Sequence, residues 1–137
     1  MSTAELRRRF ASRPVARLST VRPDGAPHLV PIVFALVGDT VFSAVDGKPK
    51  RTPELQRLAN VRAEPRCALL VDHYDDDWRR LWWVRADGTG EVVEAPMAGH
   101  PGIRALVQRF PQYRDEPPSG PLIVVTVQRW TGWACTS

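Results

Sequence analysis

Three cations and a hydroxyl group crowd into one short stretch, where Lys48, Lys50 and Arg51 come directly before Thr52. The sequence predicts the start of a helix here, because Thr52 is a favourable cap and Pro53 fits the first helical position. A helix N-terminus offers unpaired N–H groups and the positive end of the helix dipole, and both favour an anion. These residues therefore suit a phosphate or carboxylate held between a strand and a helix, although a solvated basic loop gives the same pattern.

The excess positive charge of the chain belongs to this same region. Residues 48–66 hold six basic and two acidic side chains, a surplus that equals the net charge of +4. Of the 19 basic and 15 acidic residues in the chain, the 13 basic and 13 acidic ones elsewhere balance. An anionic partner is expected at this segment first. Arg57 and Asn60, one helical turn apart, face either that ligand or water. Nucleic acid is not the expected partner, because no aromatic residues are interleaved with these cations.

An acidic turn and five tryptophans are the other chemically notable features. Four aspartates lie within residues 72–77, but their spacing lacks the glycine and terminal glutamate of a calcium loop, so a solvated turn is favoured. Trp82 and Trp83 are expected on opposite faces of a strand. One of them then lies outside any barrel interior, at a dimer interface or against a planar ligand. Trp78, at the end of the acidic turn, is expected against a cofactor ring.

Sequence motifs of cofactor-independent catalysis are missing. The chain has no GxSxG, no GxxxxGK[ST] and no GxGxxG, and no cysteine–histidine pair is evident as a nucleophile with its base. Cys67 and Cys135 have no paired spacing, and Cys67 sits inside an apolar run, so a buried free thiol is favoured over a disulfide or metal ligand. No metal site is predicted. If the protein is an enzyme, a bound cofactor is expected to carry the chemistry.

Composition predicts a single folded domain over residues 1–137. Hydrophobic residues make up 43% and charged residues 25% of the chain, which is typical of a globular protein. No apolar run approaches the roughly 20 residues that cross a bilayer. The N-terminal stretch also lacks the apolar centre of a secretory signal. A cytoplasmic protein without a membrane partner is therefore expected.

Apolar alternation and turn residues predict a mainly β (α+β) fold, a six- to seven-stranded antiparallel barrel with short helices. The expected strands are residues 14–22, 28–37, 40–45, 66–73, 79–86, 89–95 and 121–134, and the expected helices are 4–11, 52–61 and 102–110. The first three strands are expected to form a meander, and Asp87-Gly88 a tight hairpin. Pro31 marks a bulge or a sheet edge. A two-sheet sandwich is the alternative architecture.

Two long stretches, ARLSTVRPDGAPHLVPIVFAL and VDGKPKRTPELQRLANVRAEPRCALLVDHYDDDW, resemble the pyridoxamine 5′-phosphate oxidase-like split-barrel superfamily. More narrowly, the chain resembles the coenzyme F420-dependent enzymes of actinobacteria. The resemblance covers roughly residues 14–93 and the closing strand, and it is densest over NVRAEPRCALLVD. It implies an FMN-binding type of split barrel, a homodimer with its cofactor in a groove between subunits, and a small-molecule substrate.

The resemblance also implies which residues hold the cofactor. Those beside the ring are Ser43 and Ala44, with Pro31, Ile32 and Val33 backing its plane. Those on the phosphate and acidic tail are Lys48, Lys50, Arg51 and Thr52, with Arg57 and Asn60 as weaker candidates. Trp78 and Arg79 come from a neighbouring loop, of the same or the other subunit.

The number of cations favours coenzyme F420 over FMN as the cofactor. By the resemblance, F420 carries a phosphodiester and a polyglutamate tail and so needs several cations, whereas FMN needs one phosphate clamp. FMN-using oxidases of the superfamily tend to place an arginine and a lysine where this chain has His28 and Val33. The implied function is an F420-dependent oxidoreductase that transfers a hydride between the deazaflavin and a small electron-poor organic substrate. An FMN-binding flavoprotein or oxidase and a non-catalytic cofactor binder are the alternatives. His28, Tyr74 and Arg79 are the candidate proton donors, and none is assigned.

Overall fold

A computed structural model of the chain describes residues 1–45 and 52–135, with the backbone alone for residues 52–55. The strands are β1 (Val15–Val21), β2 (Pro27–Val33), β3 (Ala35–Val37), β4 (Thr40–Ala44), β5 (Arg66–His73), β6 (Trp82–Val93) and β7 (Leu122–Ala134). The helices are α1 (Thr3–Ala11), α2 (Thr52–Ala63), α3 (Pro101–Arg109) and α4 (Pro111–Asp115), with a 3-10 helix at Trp78–Arg80. The candidate cofactor-binding residues Lys48, Lys50 and Arg51 lie outside the described residues.

The seven strands form one antiparallel sheet in the order β2-β1-β5-β6-β7-β4-β3. Its two edge strands, β2 and β3, follow each other in the chain and are separated only by Phe34. The sheet must therefore curl until its edges come together, which gives a split barrel. The antiparallel split-barrel fold predicted from the sequence is confirmed. Pro31 lies on the edge strand β2, as expected for a residue that cannot donate to a ladder.

Phe34 marks the seam of the barrel, which corrects the expected meander. Residues 28–37 do not form one strand, because the chain leaves β1 after Val33 and pairs with β4 from Ala35 onward. The Phe34 side chain is buried in the core, with its ring 4.9 Å from that of Phe10. Across the seam, Ser43 Oγ donates a hydrogen bond to the Val33 carbonyl at 2.9 Å. This bond ties β2 to β4 where no ladder joins them.

The predicted Asp87-Gly88 hairpin is wrong. β6 continues through this pair, and the register against β7 shifts between Asp87 and Gly88, which is a β-bulge. A Cβ on residue 88 would collide with the Thr126 carbonyl group, so glycine permits a close backbone approach rather than a turn. The strand expected from residue 79 begins only at Trp82, because Trp78–Arg80 form a 3-10 turn capped by Asp77.

Two helices fill the barrel interior from opposite ends of β6. α1 is capped by Ser2 and buries Leu6 and Phe10. A Cβ on Gly132, which pairs with β6 near its start, would collide with Leu6. α2 buries Leu58 and Val61 in the same core, and Val61 packs against Gly90 near the end of β6. The core between them gains its stability from apolar area removed from water.

A second apolar cluster covers the outside of β4 and β7. Ile103 and Leu106 of α3 pack against Phe42 and Leu122, with Ala44 at the margin of the cluster. α3 begins at Pro101 and is capped by His100, whose Nδ1 accepts a hydrogen bond from the Gly102 N–H at 2.9 Å. Residues 111–115 add the short helix α4, which the sequence pattern did not indicate.

Two further findings concern the thiols and the helices. Cys67 and Cys135 are both free, and burial raises the pKa of the Cys67 thiol to about 11, so it stays protonated at neutral pH. Among the described residues, no helix has both the length and the apolar character that crossing a bilayer requires.

The bulge geometry generates a stability prediction. We expect Gly88→Ala to lower the free energy of unfolding by at least about 2 kcal/mol, because the new methyl group must displace the Thr126 backbone. Gly99→Ala is the matched control, since nothing lies within 4 Å of a Cβ there. Urea unfolding followed by circular dichroism measures both. Equal stability of the two variants would contradict the assignment of the bulge.

Candidate functional site

A groove of about 530 Å³ crosses the outer face of β1, β2, β5 and β6. We call it the outer groove. The residues that line it are Arg17, Ser19, Leu29, Ala68, Leu69, Leu70, Asp72, Tyr74, Trp83 and Arg85. Apart from Leu69, which belongs to the core, and Tyr74, which follows β5, they converge because alternate residues on each strand point outward while their neighbours fill the core. The groove combines a wide aromatic and aliphatic wall with two guanidinium groups and one carboxylate.

The two adjacent tryptophans take opposite faces of β6, as predicted. Trp83 lines the outer groove, directly opposite Asp72 on β5. Trp82 packs against the core instead. Its ring also lies under two guanidinium groups, with Arg9 5.6 Å and Arg13 5.9 Å from the ring centroid. The pair thus divides between an inner, packed position and an outer surface position.

The candidate ring contacts on β2 divide in the same way. Pro31 and Val33 are exposed on the face that Leu29 presents to the outer groove. Ile32 is 6% exposed and belongs to the core. Because strand side chains alternate, only the backbone of Ile32 can meet a ring that lies on Pro31 and Val33.

Of the two candidate ring contacts on β4, Ser43 is buried and Ala44 is partly buried. Ser43 is 3% exposed and uses its hydroxyl to bond Val33 across the seam. Ala44 lies at the margin of the cluster beneath α3. Neither side chain faces the outer groove, so a ring in the groove would meet this region only at the seam.

The helix α2 brings the remaining described candidates to the end of β1. The helix starts here, as predicted, but with Thr52 as its first residue rather than its cap. Arg57 is half-buried one turn along. Asn60 is fully buried, donating to Thr20 Oγ1 at 3.0 Å and accepting from Gln56 Nε2 at 2.7 Å. The described contacts of Asn60 hold α2 against β1.

His28 lies beside Thr20, the hydrogen-bond partner of Asn60. It pairs with Thr20 in the β1–β2 ladder and is 9% exposed. Its Nδ1 has no hydrogen-bond partner among the described residues. Burial, and then the charges of Arg22 and Arg57, lower the pKa of His28. The imidazole is therefore neutral at pH 7 and leaves one ring nitrogen for a partner that these residues do not supply.

The acidic turn holds itself together with its own carboxylates. Asp75 Oδ1 accepts from the Asp77 N–H at 2.8 Å, and Asp77 Oδ1 accepts from Arg79 Nε at 3.0 Å. Trp78 is 76% exposed on the 3-10 helix beside them. In residues 1–45 and 52–135, no three His, Cys, Asp or Glu side chains are grouped to hold a metal ion.

Sequence reasoning did not identify the groove residues Arg17, Leu29 and Arg85. They carry no motif, and Arg85 on β6 is distant in the chain from Arg17 on β1 and Leu29 on β2. The only signal available was strand alternation, which marks outward positions but not which strands lie side by side.

Comparison with known proteins adds the following. The family model described as pyridoxamine 5′-phosphate oxidase matches residues 2–134. A conserved hypothetical protein of Mycobacterium tuberculosis superposes with a TM-score of 0.77 at 24% identity, over 98% of this chain and 85% of that one. A FAD-binding protein of Mesorhizobium loti superposes with a TM-score of 0.72 at 19% sequence identity, over 96% of this chain and 92% of that one. A heme binding protein of Mycobacterium smegmatis superposes with a TM-score of 0.72 at 18% sequence identity, over 94% of this chain and 52% of that one. No curated protein sequence matches significantly.

The buried amide of Asn60 generates the next prediction. We expect Asn60→Ala to lower the free energy of unfolding by about 1–3 kcal/mol, because it leaves Thr20 Oγ1 buried without its partner. Gln56→Ala, which removes one hydrogen bond at a half-buried position, should cost less. Thermal unfolding of both variants makes the comparison. A larger loss for Gln56→Ala would refute the structural role of Asn60.

Proposed function

The chain belongs to the pyridoxamine 5′-phosphate oxidase family, and we propose that it is an oxidoreductase that binds coenzyme F420. It transfers a hydride between this deazaflavin and a small electron-poor organic substrate. The observation that supports the proposal is the concentration of positive charge in residues 48–66, which begin just before α2 and include it, in a chain whose charges balance elsewhere. A cofactor with a phosphodiester and several carboxylates matches that charge better than a single phosphate does.

The flanks of the cationic segment support this assignment. Before it, the Val45 N–H bonds the Pro121 carbonyl at 2.9 Å. After it, α2 is held to β1 through Asn60 and Thr20. Lys48, Lys50 and Arg51 therefore belong to a six-residue connection between two anchored points. We assign them, with Thr52, to the phosphate and acidic tail.

His28 provides the test of fit for an anionic group at this end of the barrel. Its open Nδ1 and the nearby charges of Arg22 and Arg57 favour an oxyanion that accepts hydrogen bonds. We assign Arg57 to that same group. Asn60 acts on it by holding α2 in place.

The protein's own part in the reaction is to bind and orient. A deazaflavin, when bound, supplies hydride transfer at its ring and reacts poorly with oxygen. Pro31 and Val33 give an apolar, rigid surface against which a planar ring can rest. Ser43 and Ala44 adjoin the seam, and we assign the exposed Trp78 to a ring bound by the partner subunit, whereas Arg79 is paired with Asp77 in its own loop. Shielding the ring from water on one side raises the strength of every polar contact made to it.

FMN is the second candidate cofactor. A solved structure of the same fold is named a FAD-binding protein, so a true flavin is compatible with this scaffold. Protein purified from a host that lacks F420 distinguishes the two, since an FMN protein would be yellow. Binding of either cofactor without reduction of any enone or quinone substrate would instead identify a cofactor binder.

We propose that the protein is a homodimer and that the outer groove is its interface. Leu29 and Tyr74 are largely exposed, at 66% and 59%, and Trp133 extends the same apolar surface beside Trp83. Among the described residues, neither Arg17 nor Asp72 forms an ion pair, although both line the groove. In a two-fold dimer, Arg17 of one subunit can meet Asp72 of the other, and the pair occurs twice.

The cofactor assignment is tested by removing two cations. We expect Lys50→Ala combined with Arg51→Ala to weaken F420 binding at least about tenfold, equivalent to about 1.4 kcal/mol. Arg62→Ala with Arg66→Ala is the control, since it removes two charges from the far end of the same basic region. Quenching of tryptophan fluorescence gives both dissociation constants. Equal weakening of F420 binding in both variants would mean that the overall positive charge of residues 48–66 attracts the cofactor, without specific contacts from Lys50 and Arg51.

The dimer assignment is tested at the groove. We expect Leu29→Asp to convert the dimer to monomer, or to raise its dissociation constant by at least about tenfold, because a carboxylate would be buried in an apolar interface. Met97→Asp, at a position 81% exposed outside the groove, is the control. Sedimentation velocity measures both. A Leu29→Asp protein that remains dimeric would exclude the groove as the interface.

A further inference from the structure

A second concave surface, remote from α2, is lined mainly by arginines. It lies between α1, the 3-10 helix and the end of β7, and its volume is about 510 Å³. We call it the arginine pocket. Its principal lining residues are Arg8, Arg9, Arg13, Arg79, Arg80 and Trp82. We propose that the arginine pocket is a separate binding site for a compact oxyanion of the phosphate or pyrophosphate type.

The charge around the arginine pocket is not balanced by its neighbours. Three described carboxylates pair with four of its five guanidinium groups: Glu5 with Arg8 and Arg9, Asp77 with Arg79, and Asp75 with Arg80. Five positive groups against three negative ones leave an excess of two. The Asp75 contact is also long, at 3.8 Å, because the same oxygen is engaged by His73 at 2.8 Å. An anion with two charges would restore neutrality.

Arg13 is the group that such an anion would meet. Its Nη2 lies 2.8 Å from His73 Nδ1, and no described carboxylate pairs with it. Arginine only donates, so this nitrogen of His73 is the acceptor. His73 Nε2–H then donates to Asp75 Oδ2 at 2.8 Å. One donor of the Arg13 guanidinium is thereby used, and no described residue accepts from its remaining N–H groups.

The arginines are positioned before any ligand arrives. Arg9 and Arg13 both lie within 6 Å of the Trp82 ring centroid, at 5.6 and 5.9 Å. Glu5 holds Arg9 at 2.9 Å and Arg8 at 2.6 Å. Side chains fixed by stacking and ion pairs lose less conformational entropy when they bind. The guanidinium fork also matches the geometry of phosphate oxygens, which favours a phosphate over a spherical anion.

The arginine pocket is distinct from the proposed cofactor site. It adjoins Trp82 at the start of β6, whereas α2 packs against Gly90 near the other end of that strand. Eight residues of extended strand separate them by about 26 Å. The resemblance placed Arg79 with the cofactor. In this structure the side chain lines the arginine pocket and pairs with Asp77.

Isothermal titration with pyrophosphate tests this proposal. The titration is carried out on Lys50→Ala/Arg51→Ala protein, so that the cationic segment before α2 does not contribute. We expect saturable binding that weakens at least about tenfold in the added Arg13→Gln variant, which removes a charge-assisted contact. Arg80→Gln, at a largely exposed position, should weaken it about threefold. Arg104→Gln on α3, an exposed arginine outside the pocket, should leave it unchanged.

The outcomes separate this proposal from the cofactor assignment. Arg13→Gln should leave F420 affinity unchanged in protein that retains Lys50 and Arg51. No heat with millimolar pyrophosphate would overturn the proposal, as would equal weakening by Arg13→Gln and Arg104→Gln. If circular dichroism shows that the Arg13→Gln protein does not fold, the pyrophosphate affinity of the Arg80→Gln protein tests the proposal instead. Unchanged binding in that variant would then overturn the proposal too. Binding of a single-stranded oligonucleotide but not of pyrophosphate would replace it with a nucleic-acid surface.

Discussion

The fold depends on one constraint, the seam at which the sheet closes on itself. β2 and β3 are consecutive in the chain, yet they occupy opposite edges of a seven-stranded sheet. Only a curled sheet can satisfy this connection. Phe34 anchors the seam in the core, and the Ser43 hydroxyl joins its two sides through the Val33 carbonyl. Because the Ser43 hydroxyl is buried, breaking its hydrogen bond to the Val33 carbonyl would cost more free energy of folding than breaking a typical exposed hydrogen bond.

Closure of the sheet also determines where functional surfaces can form. The interior is filled by apolar side chains and by α1 and α2, so ligands are left with the outer face and the two ends. The outer face carries Trp83 and the outer groove. α2 packs near the end of β6, and the arginine pocket lies beside α1 at the start of that strand.

Much of this fold could be predicted from the sequence, and the predictions that were wrong have physical causes. Strand alternation correctly separated Trp82 from Trp83, and Pro31 correctly indicated an edge. The pair Asp87-Gly88 suggested a hairpin because turns and bulges both use glycine, and only the partner strand reveals which is present. The break at Phe34 was hidden because the apolar pattern runs through it without a turn residue.

The candidate site was less accessible to sequence reasoning. The cations at 48–51 are visible as a local cluster, but the outer groove is assembled from four strands that are separated in the chain. The arginine pocket likewise joins α1 to a loop some seventy residues later, so its residues share no motif. Family membership explains the scaffold but not the identity of the ligand, which depends on such side chains.

A crystal structure of the protein with coenzyme F420 bound tests the cofactor assignment most directly. We expect the phosphodiester to contact Lys50 or Arg51, with the ring along Pro31 and Val33. Density for the cofactor elsewhere, with this junction facing solvent far from any subunit interface, would contradict it.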